Sequence, residues 1–395
     1  MYFHFQNAIT IFMINFHKFF GREKMALFVY LIVNMLFVLK YAERQEMVST
    51  PILVFAYVLL LVLGVVFFYK LKEWINKTKN FNLIFLITSV VVFIGFIGIN
   101  LLIDEQTLHV DRWSALDGFI KSILEGNYPY DVQDHLGQTS SNLPGLFYIG
   151  HPFYLLSDVG LLQAFVFGLI AYTLYKSSFT NFSKTMDLFL LLMSPAYLWE
   201  VFVKSDLMSN LFLVLLFIMF WSKKYQQNLF KKPFTLSFFC SFFMLTRGVV
   251  LIPLILFLFD GFIKSRSIVK MKFIGGLLFF SVLISLPVLI SIPSIDFVLE
   301  HNPFNHQAKY APFLLIVLSL LIPFVISRYQ KDVKAVFYSS FLIITTFLFA
   351  TFSINIYQEG FTNNVYENLF DLSYLGMIIP FILFYLIHEK NTMHA

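Results

Sequence analysis

The sequence predicts an all-α integral membrane protein: a polytopic bundle of about twelve transmembrane helices, with an amphipathic helix in its first large outer loop. Three observations predict it. Apolar side chains make up 58% of the 395 residues and only 13% are charged, whereas soluble domains carry about a quarter charged. So few charges cannot cover a water-facing surface, and the mean hydropathy is +0.77. Apolar runs recur along the whole chain, and the loops between them alternate between basic and nearly free of Lys and Arg.

At the N-terminus Phe5, Ile9, Phe12, Phe16 and Phe20 recur at helical spacing, which predicts a helix lying on the membrane surface. No small-residue cleavage site follows it. Apolar runs then fall at 26–41, 52–69, 81–103, 159–175, 186–203, 207–221, 234–246, 248–263, 273–291, 311–327, 336–353 and 372–388. Several are shorter than the ~20 residues that cross a ~30 Å hydrocarbon core. The chain divides into an N-terminal interfacial helix and added hairpin (1–80), a core (81–263) containing the outer loop 104–158, and C-terminal helices (264–395).

Five loops carry the positive charge: Lys70, Lys72, Lys77 and Lys79; Lys176 and Lys184; Lys223, Lys224, Lys231 and Lys232; Lys264, Arg266, Lys270 and Lys272; Arg328, Lys331 and Lys334. By the positive-inside rule these loops and both termini are expected in the cytoplasm. The net charge of +5 follows from them. No basic cluster sits in a soluble domain, so nucleic acid is not an expected partner. Cys240, the single cysteine, lies inside an apolar run and allows neither an intrachain disulfide nor a thiolate metal site. The Asn-x-Ser/Thr sequons at Asn76 and Asn181 fall in loops expected to be cytoplasmic and give no support for glycosylation.

The third loop is unlike the others. It is about 55 residues long and carries Asp104, Glu105, Asp111, Asp117, Glu125, Asp131 and Asp134 against only Arg112 and Lys121. Long loops of this kind usually carry function. Trp113, Leu116, Ile120, Ile123 and Leu124 recur at spacings of three and four, which predicts an amphipathic helix over 112–125 on the membrane face. Asp111 is its expected N-cap, Gly126-Asn127 its stop, and Tyr128-Pro129-Tyr130 an extended exit. The apolar stretch from Asn142-Leu143-Pro144-Gly145 to Leu156 is broken by His151-Pro152 and is expected to dip into the membrane or lie beside it.

Asp111-x5-Asp117 followed by Leu124-Glu125-Gly126-Asn127-Tyr128-Pro129-Tyr130 resembles the first outer loop of type C glycosyltransferases. The likeness is nearest to the polyprenol-phosphate-mannose-dependent mannosyltransferases and their bacterial relatives. The segment Asn142-Leu143-Pro144 through Pro152 and the turn Lys204-Ser205-Asp206 fit further elements of that pattern, so the likeness covers roughly 81–260. Two additional spans precede the helix that leads into the loop, so that three stand where the family has one, and no large soluble C-terminal domain is expected. The resemblance implies a polyprenyl-phosphate sugar donor, a glycan or glycolipid acceptor and inversion at the anomeric carbon. It also implies a place in the bacterial plasma membrane, in the building of the cell envelope. The sugar is not carried over.

Such chemistry needs a carboxylate at the water boundary to take the acceptor proton, and cations to hold the phosphate leaving group. Asp111 is the expected base; the plainer reading is an N-cap. Asp104, Glu105 and Asp117 are further acidic candidates, although Asp104 and Glu105 also suit boundary charges and Asp117 is placed to pair with Lys121. Arg247 sits between two short runs and is expected below the outer headgroup level as a phosphate ligand, with snorkelling to lipid as the alternative. Lys204 and Asp206 share a short turn on the same side, where they either pair with each other or line the donor site. His151 and Tyr130 are weaker binding candidates. His301, His306 and Lys309 share an outer loop able to close over the site. Carboxylates and water could bind a divalent ion, but nothing demands one. The rival functions are a secondary transporter, which would show related halves and broken helices, and a polysaccharide polymerase or ligase using lipid-linked sugars.

Overall fold

The computed structural model describes residues 21–307 and 310–388, without the side chains of Asn305 and His306. The surface helix expected over 1–20, and Lys309, lie outside the described residues. The chain is helical throughout that range: α1 (Arg22–Ala42), α2 (Thr50–Lys70), α3 (Phe81–Leu102), α4 (Arg112–Leu124), α5 (Pro144–Tyr154), α6 (Leu161–Lys176), α7 (Asn181–Leu192), α8 (Pro195–Phe202), α9 (Leu207–Lys224), α10 (Pro233–Met244), α11 (Leu251–Lys264), α12 (Ser267–Leu289), α13 (Phe313–Ile326), α14 (Val333–Glu359) and α15 (Ile379–Ile387).

Six of these, α1, α2, α3, α9, α12 and α14, are long and apolar enough to cross a membrane, and a seventh if the bent pair α7–α8 counts as one span. The burial of these helices separates two environments. Only 6% of the most apolar window of α2 is buried, against 61% for α9. A helix apolar all round and left uncovered by protein has lipid as its solvent. Around α9 pack α6 and α15, with α14 behind α15 and α10 paired along α12. Since lipid is as apolar as leucine, close packing and polar contacts hold such helices together.

The run 186–203, expected as one span, is two helices bent by 60°. Pro195 lacks the N–H a continuing helix would use, and Ser194 caps the second helix by accepting from the Tyr197 amide at 3.2 Å. Asn34 of α1 completes the break: its Oδ1 accepts from the Ser194 hydroxyl at 2.7 Å and from the Ala196 amide at 3.1 Å. A break in a low-dielectric core is tolerable because side chains take up freed backbone groups in this way.

The loop ends sort onto two faces. Asn76 caps the start of α7 through the Phe182 amide at 2.9 Å, and Lys176, Lys223 and Lys331, from three of the basic loops, line one cavity. The acidic loop, the Lys204–Asp206 turn and the α10–α11 turn meet at the opposite end.

Candidate functional site

The long loop forms its predicted helix, α4, beginning where expected and ending one residue early. It stops in a Schellman turn: Gly126 has φ +76°, the Asn127 amide donates to the Ser122 carbonyl at 2.8 Å and the Gly126 amide to that of Ile123 at 3.2 Å. The buried stripe is Trp113, Leu116, Phe119 and Ile120, while Leu124 is exposed. This stripe does not face lipid. Leu116 and Ile120 press on Gly150 of α5, where a Cβ would come within 2.8 Å of Ile120. The segment 144–156, read as interrupted, forms one helix through Pro152 up to Tyr154, wedged against α4 and the end of α10. There the Gly145 amide donates to the Leu245 carbonyl at 2.6 Å, and a Cβ on residue 145 would overlap the Phe242 and Leu245 carbonyls.

Three charged clusters fasten this loop to the bundle. In the deepest, Asp206 takes the Nε and Nη2 edge of Arg247 at 2.6–3.1 Å, with both side chains at most 8% exposed. Asn142 of the loop accepts from the same Nη2 at 3.4 Å. In the second, Lys204 donates to Glu105 at 2.7 Å and Asp158 at 3.1 Å. Lys204 and Asp206 therefore do not pair with each other. Lys204 sits at φ +55°, an uncommon left-handed residue, and runs past Gly160, where a Cβ would lie 2.6 Å from its Cγ. In the third, Arg112 is bound by Asp371 and Ser373 and lies 5.4 Å over the Tyr374 ring. Burial alone would push the Asp371 carboxyl up; Arg112, Ser373 and Lys40 outweigh it and hold the group below the usual carboxylate range. Asp206 of the first cluster adds to the negative field that holds Arg112 of the third charged.

Asp111 occupies the N-cap position of α4 but makes no capping hydrogen bond with its side chain. Its carboxylate is 38% exposed and stands 3.9 Å from Arg112 Nε. Asp104 does cap, accepting from the Gln106 amide at 3.1 Å. Asp117 is not the partner of Lys121, which approaches Glu125 at 4.0 Å. Burial first, then Glu105 and Asp158, push the Asp117 carboxyl up, with Lys121 opposing. Tyr130 is not an extended exit residue. It sits in a turn and is buried with Tyr128, Phe119 and Val288, and burial raises its hydroxyl. The His151 ring lies tilted against Phe147, centroids 5.2 Å apart, with its Nδ1 buried and unpaired among the described residues. The loop after α12 closes on the acidic loop: His301 meets Asp131 at 3.4 Å, and Gln307 donates to the Ser141 carbonyl and accepts from the Gly248 amide. Among the described residues, no group of three or more His, Cys, Asp or Glu is arranged to hold a metal ion.

Sequence reasoning passed over Arg112, Asp371, Asp158 and the contact of Asn142 with Arg247, whereas Glu105, weighed beside Asp104, proves to be a partner of Lys204. Arg112 was visible as one of two cations in an acidic loop. Asp371 carried no signal, because its partner is 259 positions away. Comparison with protein-family models, with curated proteins and with solved structures finds no match. The fold defines the class: a multi-pass helical membrane protein whose longest loop folds onto a buried charge network at one end of the bundle.

Proposed function

We propose that the protein is a glycosyltransferase that moves a sugar from a polyprenyl phosphate to an acceptor hydroxyl at the outer membrane face, with twelve spans and both termini in the cytoplasm. The observation that carries the reading is Asp111: a partly exposed carboxylate at the head of α4, not used as a cap, with the Arg112 guanidinium 3.9 Å away, in the loop whose Asn142 contacts Arg247. In the proposed step the acceptor oxygen attacks the anomeric carbon from the face opposite the phosphate. Its proton passes to Asp111, and the anomeric C–O bond breaks toward a phosphate held by cations. Asp206 covers one edge of Arg247, and among the described residues Nη1 is not taken up, which leaves that nitrogen for a phosphate oxygen. The polyprenyl-phosphate donor and the glycan or glycolipid acceptor follow from the likeness of the loop to type C glycosyltransferases; the sugar does not.

The test is transfer by the purified protein from a panel of polyprenyl-phosphate sugars. Asp111→Asn is expected to lower turnover ~10²–10⁴-fold with donor binding and fold retained. Wild-type turnover in that variant rejects Asp111 as the base. If no donor binds and no carboxylate within 104–134 matters, the glycosyltransferase reading fails as a whole. The 60° break between α7 and α8 favours a second reading, a secondary transporter built on a discontinuous helix. Ion-driven uptake into proteoliposomes, without transfer, would select it.

A further inference from the structure

At the end of the bundle away from the acidic loop, a cavity of about 1000 Å³ opens between α6, α9 and the segment entering α14. It combines two chemistries. Lys176, Lys223, Lys331 and Lys334 line it against one carboxylate, Asp332. Asp332 is already engaged as the cap of α14, accepting from the Ala335 amide at 2.7 Å, and Lys334 leans toward Glu23 at 3.7 Å. Lys223 and Lys331 are exposed and have no ion pair among the described residues. Away from the lysines the walls are apolar, built from Leu213, Leu216 and Phe257, and the rim carries Tyr172 and Phe220, 60% and 56% exposed. Both rim residues lie one turn from the lysine at the end of their helix, and Phe220 belongs to α9, one of the helices able to cross a membrane.

A soluble anion would have no use for the apolar half, and a neutral lipid none for the lysines. We propose that this cavity is a binding site for an anionic phospholipid of the adjacent leaflet. Its phosphate would sit among Lys176, Lys223 and Lys331, and an acyl chain would lie against Leu213, Leu216 and Phe257. The site does not depend on the glycosyltransferase reading, since it lies at the other end of the molecule. It uses the general affinity of interfacial lysine clusters for anionic headgroups. It differs from a diffuse surface attraction in having a shaped wall for the tail.

The experiment is native mass spectrometry of the full chain released from nanodiscs, counting retained lipid. With mixed phosphatidylglycerol and phosphatidylcholine, one phosphatidylglycerol is expected to stay bound in preference to phosphatidylcholine. Removing a lysine is expected to weaken retention about fivefold, and the triple variant Lys176→Gln, Lys223→Gln, Lys331→Gln about a hundredfold. Leu216→Trp keeps every charge but fills the wall, and is expected to lose the lipid as well. Both variants are checked for an unchanged elution profile and helical circular dichroism. Equal retention of the two lipids, or an unchanged triple variant, overturns the proposal. Displacement by millimolar inorganic phosphate, or lipid retained in Leu216→Trp, also overturns it by showing a site for headgroup charge alone.

Discussion

Arg247 and Asp206 give the sharpest quantitative test. Their side chains are 8% and 2% exposed, and Asp206 accepts through both oxygens from Nε and Nη2. Neither charge can turn to water if its partner is removed. Arg247→Met or Asp206→Asn alone should therefore cost ~3–5 kcal/mol, the range for stranding one member of a buried pair. The double variant strands no full charge, and should cost less than the sum of the singles by up to ~3 kcal/mol. The assay is thermal unfolding of the four proteins in one detergent, repeated in nanodiscs. Additive costs, or single losses below ~1 kcal/mol, would refute the coupled pair. Arg247→Lys separates structure from chemistry. A lysine keeps the charge opposite Asp206 but offers a point charge in place of a planar fork. Normal unfolding with impaired transfer would assign Arg247 to the donor phosphate. Normal behaviour in both would leave it a structural ion.

Other outcomes follow from the same geometry. A cysteine at Gln138 should react with an impermeant reagent from outside, and one at Lys77 should not; both positions are exposed, and the reverse pattern inverts the proposed topology. The Asp371 carboxyl is held below its ordinary range, so its contribution is present above that range and is lost as pH falls through its lowered value. Asp371→Asn should flatten the acid limb of the unfolding profile, and an unchanged limb would contradict the Arg112 pairing. Gly160→Ala places a Cβ 2.1 Å from Asn100 Nδ2 and 2.6 Å from Lys204 Cγ, which should drive Lys204 off Glu105 and Asp158 at ~1–3 kcal/mol. If stability is unchanged, the Lys204 stem is free to move.

By itself the sequence determined what depends on local composition and period. The positions of α1, α2, α3, α9, α12 and α14 were legible because an apolar run of that length has no water-soluble alternative. The amphipathic helix over 112–124 and its stop were legible because a 3.6-residue stripe and a glycine at the end are local signals. Tertiary structure decided what depends on distant partners. The stripe of α4 was read as facing membrane, yet Gly150 lets α5 cover it. The run 186–203 was apolar enough for one span, yet Asn34, some 160 positions away, stabilises its break. Lys204 and Asp206 were near enough in sequence to suggest pairing, yet the left-handed turn at 204 sends them to different partners. Charges in a low-dielectric interior must find a counter-charge wherever the fold provides one, and which residue provides it is set by the packing of helices far apart in the chain.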